Sequence, residues 1–153
     1  MSMSIAYWCV LIAALLPYLW VGVAKASGKR YDNRDPRGWQ TRQDNPRSNA
    51  AYAAHLNAFE AFAPFAAGVI SAQMTGVATD WIVSLAMAFI VFRVLHGVFY
   101  VLRQPRLRSL AWVLGFGCVL ALLVLAALAA SEDASAQVVL RLLDGSAQGG
   151  WNS

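Results

Sequence analysis

Residues 55–100 read HLNAFEAFAPFAAGVISAQMTGVATDWIVSLAMAFIVFRVLHGVFY. Two long apolar blocks flank a short turn at residues 76–79, and each holds side chains that an apolar block does not need. His55, Asn57 and Glu60 lie in the first block, and Arg93, His96 and Tyr100 in the second. A charge near mid-bilayer costs at least about 2.5 to 3.5 kcal/mol on insertion scales, so such residues face the protein interior, are paired, and often mark a site. The fold therefore turns on whether these blocks cross a membrane.

Composition answers first. Of 153 residues, 59% are hydrophobic and 13% charged, against roughly 25% charged in an ordinary soluble chain, which excludes a water-soluble globule. Crossing a hydrocarbon layer about 30 Å thick takes roughly 20 helical residues, and four stretches are long enough: residues 5–24, 50–75, 81–102 and 109–130. In lipid only helices satisfy their own backbone without closing a barrel. The expected fold class is all-α: an integral membrane, antiparallel four-helix bundle over residues 1–130, with a cytoplasmic loop at 25–49 and a loosely ordered polar tail at 131–153. A signal peptide is the rival reading of the first block, but Met1–Ser4 holds no basic residue and the apolar run exceeds the usual 7–15. The two cysteines, Cys9 and Cys118, both sit in apolar blocks, so no disulfide scaffold or C-x-x-C metal site is expected. Neither a metal nor a nucleic-acid partner is expected.

Charge sets the orientation. Loop 25–49 carries seven basic residues, Lys25, Lys29, Arg30, Arg34, Arg37, Arg42 and Arg47, against Asp32, Asp35 and Asp44, and the third turn adds Arg103, Arg106 and Arg108. Both segments fall on one side of a four-span chain, while Asp80, Glu132 and Asp133 fall on the other. The positive-inside rule puts the basic loops in the cytoplasm and both termini outside it. With Pro36 and Pro46 and no apolar period, the first loop reads as irregular. Pro17 inside the first span reads as a kink.

Depth then pairs the polar residues. Counted from the cytoplasmic ends of their spans, Glu60 and Arg93 are each about ten residues in, or about 15 Å. Asn57 and His96 are each about 10 Å in, and Tyr100 about 5 Å. Asn57 and Glu60 share one helix face, and Arg93, His96 and Tyr100 share another. The spacing predicts a buried Glu60–Arg93 ion pair at the floor of a polar cleft open to the cytoplasm. Pro64 lacks an N–H and so frees the carbonyl of Glu60 as a further acceptor. A helix-locking role for that pair is favoured over a catalytic one, while Asn57, His96 and Tyr100 lie shallow enough to meet a water-borne ligand. His55 points about 200° away from Asn57 and reads as an interface residue. With Arg108, Ser109 and Lys25 at cytoplasmic span ends, the inventory suits a small anionic ligand beside an apolar slot.

The run His55-Leu56-Asn57-Ala58-Phe59-Glu60 followed by Pro64-Phe65, the run Phe92-Arg93-x-x-His96-x-x-x-Tyr100, and Pro105 followed by Arg108-Ser109 together resemble the MAPEG family, membrane-associated proteins in eicosanoid and glutathione metabolism. The likeness covers about residues 5–130 and is to its microsomal glutathione transferase and prostaglandin E synthase branches; residues 29–34 and 57–62 look closest to bacterial members. The resemblance implies a homotrimer in the bacterial inner membrane, with glutathione as cosubstrate in a cytoplasmic-side cleft between subunits. It also implies the roles: Lys25, Asn57, Glu60, His96 and Tyr100 bind glutathione, Arg93 is the buried partner of Glu60, and Arg108 and Ser109 stabilise the thiolate. The expected activity is a glutathione-dependent transferase or peroxidase acting on a lipophilic electrophile.

One departure stands out. Well-studied members carry arginines four and often seven residues before the asparagine, and here Ala53 and Ala50 stand in those positions, with Arg47 one turn further out. Each charge-assisted hydrogen bond lost costs about 1.5 to 3 kcal/mol, or roughly one to two decades of affinity. The alternative reading is accordingly a non-catalytic membrane protein that keeps the fold as an assembly or lipid-binding subunit.

Overall fold

A computed structural model describes residues 1–148. Five helices make up the described chain: α1 (Met3–Ser27), α2 (Pro36–Thr41), α3 (Pro46–Met74), α4 (Thr79–Val101) and α5 (Pro105–Gln148). Their starts follow local chemistry. The Ser2 side chain accepts from the N–H of Ser4, Asp35 from that of Gly38, and Asn45 from those of Arg47 and Ser48, each satisfying donors that a helix start leaves unpaired. Pro36, Pro46 and Pro105 open their helices, where the missing N–H costs nothing.

Three helices are long and apolar enough to cross a membrane: Met3–Ser27, Thr79–Val101 and Pro105–Gln137. At 29 residues α3 is also long enough, but its hydropathy is diluted by alanine and by His55, Asn57 and Glu60. Length and polarity separate here because α3 is packed on two sides, with His55 bonded to α1 and Asn57 to α4.

Side-chain contacts give the helix directions. Ser48 Oγ donates to the Ala24 carbonyl at 2.8 Å, His55 Nδ1 lies 2.8 Å from the Pro17 carbonyl, and the Tyr7 hydroxyl donates to Gln73, so α3 runs antiparallel to α1. Phe65 stacks on Phe89 at 3.9 Å and Asn57 meets Arg93, so α3 runs antiparallel to α4. The Met1 amino group pairs with Asp80 at 2.6 Å while Trp20 crosses Gly97 at the opposite end, so α1 and α4 are parallel. Residues Phe65, Val69, Ile82, Val83, Phe89, Val119 and Leu122 form the core where α3, α4 and α5 meet. Buried Ala6, Ala13, Ala51, Ala54, Ala58, Ala72 and Ala86 let backbones approach closely, as helix pairs in lipid require. The outside stays apolar, with Trp8, Leu15, Tyr18, Trp81, Leu110, Val113 and Leu128 exposed.

Two expectations are corrected. Loop 25–49 is not irregular throughout. It contains α2, and Trp39 is buried with its indole N–H donating to the carbonyls of Lys29 and Arg30 at 3.0 and 3.1 Å. Asn45 Nδ2 ties the loop to the end of α1 through the Ser27 carbonyl at 2.8 Å. Cap-and-proline pairs, Asp35-Pro36 and Asn45-Pro46, specify these helix starts without any apolar period. The Gly38 N–H, followed by Arg42, holds the Asp35 carboxyl below the usual carboxylate range, and Lys29 does the same for Asp44. These contacts stabilise the loop at neutral pH, and the contribution is lost as pH falls through the lowered values. The second correction concerns the tail. The helix of the last span does not end near residue 130 but continues to Gln148, because no proline follows Pro105 within it and an established helix adds one bond per residue. Residues 149–153 lie outside the described residues.

A methyl group at Gly97 would collide with the indole of Trp20, whereas nothing surrounds Gly117. Gly97→Ala should therefore destabilise the detergent-solubilised protein by about 1 to 3 kcal/mol, read as a lower melting temperature. Gly117→Ala should leave the temperature unchanged or slightly raised. Equal melting of Gly97→Ala and wild type would show that the two helices do not approach this closely.

Candidate functional site

Arg93 sits on α4 with 4% of its surface exposed. Its Nη2 donates to both the backbone carbonyl and the Oδ1 of Asn57, each at 2.9 Å, and Asn57 Nδ2 in turn donates to Glu60 Oε2 at 2.9 Å. The expected direct Glu60–Arg93 ion pair is thus not formed. The ion pairs among the described residues are Met1–Asp80, Lys29–Asp44 and Arg42–Asp35. Asn57 stands between the two charges, and it is Asn57's carbonyl, not that of Glu60, which the guanidinium uses. The physical reason is desolvation. Burying a carboxylate beside the guanidinium takes two charges out of water, whereas a neutral amide supplies two acceptors for less. Glu60 stays exposed at the surface of the chain, one hydrogen bond removed.

One turn toward the α4–α5 end lies the second group. His96 is buried, with 3% exposed, and its ring meets Tyr100 edge-on at 5.0 Å. The Arg108 guanidinium lies over the phenol ring, 4.6 Å from its centroid. The i and i+4 spacing of His96 and Tyr100 stacks them on one face of α4, and Pro105 starts α5 so that Arg108 and Ser109 fall in its first turns. Asn57, His96, Tyr100, Arg108, Ser109 and Trp112 line a cavity of about 250 Å³. Against it lies an apolar cavity of about 180 Å³, walled by Pro64, Phe89, Trp112, Phe116 and Val119 with Glu60 and Arg93 at one side. Asn57 and Trp112 belong to both. A polar chamber and an apolar slot therefore share a wall.

Of the seven residues expected to hold or activate a ligand, five, Asn57, His96, Tyr100, Arg108 and Ser109, share the first cavity, and a sixth, Glu60, lines the second. Lys25 is the exception. Its Nζ lies 3.8 Å from the centroid of the Tyr31 ring, in a separate cavity lined by Tyr31, Arg37, Trp39 and Tyr52. Within one chain it cannot join the others, because α1 packs on the side of α3 that carries His55, and Asn57 faces α4. His55 is correspondingly an interface residue between α1 and α3, held on the Pro17 carbonyl and flanked by Tyr52 and Phe59. Trp112 joins the same cavity from α5. Its spacing of four and three residues from Arg108 and Ser109 places it on their helix face, a signal that was available.

Compared with known proteins, residues 5–128 match the profile described as the MAPEG family. No curated protein matches the sequence closely enough to stand as a relative.

Replacing Asn57 removes an acceptor from a buried cation, so Asn57→Ala should lower stability by about 1 to 3 kcal/mol. Glu60→Gln leaves the guanidinium's own bonds in place and should change it by less than about 0.5 kcal/mol. Thermal melting in detergent checks both; a larger loss for Glu60→Gln than for Asn57→Ala would restore the direct ion pair.

Proposed function

This chain belongs to the MAPEG family and is an integral membrane protein, and we propose that it is a glutathione-dependent transferase or peroxidase acting on a lipophilic electrophile. The observation that carries the reading is the shared wall between the two cavities. It would bring a water-borne thiol and a membrane-dissolved substrate together. The donors fit the thiol tripeptide: Arg108 is cationic, and Tyr100, Ser109, His96 and Asn57 provide hydrogen-bonding groups around it.

Glutathione bound there supplies a nucleophilic sulfur. A free thiol with a pKa near 8.5 is only a few per cent ionised at pH 7, so the chain's task is to favour the thiolate. Arg108 does so with its charge and Ser109 with its hydroxyl proton. Tyr100, in contact with His96, fixes the guanidinium by its ring face. Asn57 orients the ligand from α3 while Arg93 holds Asn57 in place. Trp112, Phe116 and Phe89 present the electrophile from the apolar side and keep water from the reacting atoms. Transfer then forms a carbon–sulfur bond as the leaving group departs with its electrons.

In the same reading the chain is a four-span bundle, with α3 as the fourth span because His55 and Asn57 find their partners on α1 and α4. It assembles as a homotrimer in a bacterial inner membrane, with both termini outside the cytoplasm and lipid against the exposed apolar face. A trimer would also let Lys25 reach a neighbouring subunit's cleft, which one chain does not allow. The second reading, a non-catalytic assembly or lipid-binding subunit, is favoured by Ala50 and Ala53, which remove two cations from α3.

Titration calorimetry of the purified protein separates the two. Reduced glutathione should give heat of binding at millimolar concentration, and Arg108→Ala should weaken it roughly 10- to 150-fold, the factor equivalent to about 1.5 to 3 kcal/mol. No heat at millimolar glutathione would overturn the enzyme reading and leave the second one.

A further inference from the structure

The turns that follow α3 and α4 are the same device built from different residues. After α3, the N–H of Gly76 bonds to the Gln73 carbonyl at 3.2 Å and that of Val77 to the Ala72 carbonyl at 3.0 Å. After α4, the N–H of Arg103 bonds to the Tyr100 carbonyl at 3.0 Å and that of Gln104 to the Phe99 carbonyl at 2.9 Å. This paired closure needs a left-handed residue just past the helix cap, a position where glycine is usual. Gly76 meets the need with φ 77°, and Arg103 with φ 58°. Among the described residues Arg103 is the one non-glycine residue with positive φ. A side chain reaches that conformation only at a steric cost that glycine escapes. Backbone geometry alone thus asks for glycine at position 103, as at 76, and the chain keeps arginine.

The surroundings give the side chain a task. Arg103 borders a cavity of about 290 Å³ whose wall also includes Ala50, Tyr100, Gln104 and Arg108. Tyr100 and Arg108 line the proposed glutathione chamber as well, so the two spaces adjoin at these side chains. Two guanidiniums border this space, and none of the ion pairs among the described residues involves either. The facing wall from α3 is Ala50, uncharged. Topology alone does not explain the choice, since Arg106 carries the same charge at the start of α5 without a left-handed backbone. We infer that Arg103 is a ligand-binding residue: its guanidinium takes a carboxylate of glutathione, supplying from the α4–α5 turn the cation that α3 lacks at Ala50 and Ala53. This rests on the proposed function and extends it, because the anionic end of the ligand then lies over the turn and not along α3.

Position 103 permits an unusually clean test, since the variant that removes the cation also relieves the backbone. The full-length protein in detergent is titrated calorimetrically with reduced glutathione, and with glutathione whose carboxylates are esterified, alongside thermal melting. Arg103→Gly should melt at the wild-type temperature or above it while binding glutathione at least about tenfold more weakly. Arg103→Lys, which keeps a cation, should bind within about threefold of wild type, and esterification should weaken binding to wild type more than to Arg103→Gly. Wild-type binding that Arg103→Gly leaves unchanged overturns this inference and leaves the proposed function standing. A lower melting temperature for Arg103→Gly also overturns it, by showing that the arginine serves the turn. No binding by wild type overturns the proposed function and this inference together.

Discussion

A guanidinium enclosed by helices must be given acceptors, and the arrangement around Arg93 follows from that need. Its carbonyl and amide acceptors both come from Asn57, which fixes the register of α3 against α4. Once that register is set, Phe65 stacks on Phe89 one layer away, and the α3 face carrying Asn57 and Glu60 is turned toward α4 and α5. Asn57 thereby does two things at once. It satisfies a buried charge, and it forms part of the wall between a polar cavity and an apolar one.

The rest of the packing serves the same register from the other side. Trp20 lies against the bare backbone of Gly97, next to His96, so α1 backs the α4 turn that presents the histidine. His55 fastens α3 to the Pro17 carbonyl, and Ser48 does so at the Ala24 carbonyl. A helix as polar as α3 is tolerable in a membrane protein when its hydrogen-bonding groups find partners in neighbouring helices. The polar chamber then forms where α4 ends and α5 begins, because Pro105 starts a helix whose opening turns carry Arg108 and Ser109 toward Tyr100.

Much of this was legible in the residues. Counting residues from the basic ends of the two helices brings Asn57, His96 and Tyr100 together, since helical rise is constant and antiparallel neighbours with a short turn share one scale of depth. The same count matched Glu60 with Arg93 and failed, because it locates Cα atoms and an arginine side chain spans a full helical turn. It reached an acceptor three residues from the one at its own level. Lys25 joins the expected site only by analogy of position, yet depth says nothing about which side of α3 a helix occupies. Loop 25–49 lacks hydrophobic periodicity and so reads as irregular, whereas α2 depends on capping.

By itself, then, the sequence determined an all-helical membrane chain, its basic and acidic sides, and the small set of polar residues that lipid forces together. Composition, length and charge distribution are properties of the chain that the bilayer reads directly. Tertiary structure alone decided that an amide separates the two charges, that the polar cavity abuts an apolar one, and that a left-handed arginine borders the space beside them. Those outcomes depend on side-chain reach, on desolvation and on how one helix end closes. None of these is set by spacing along the chain.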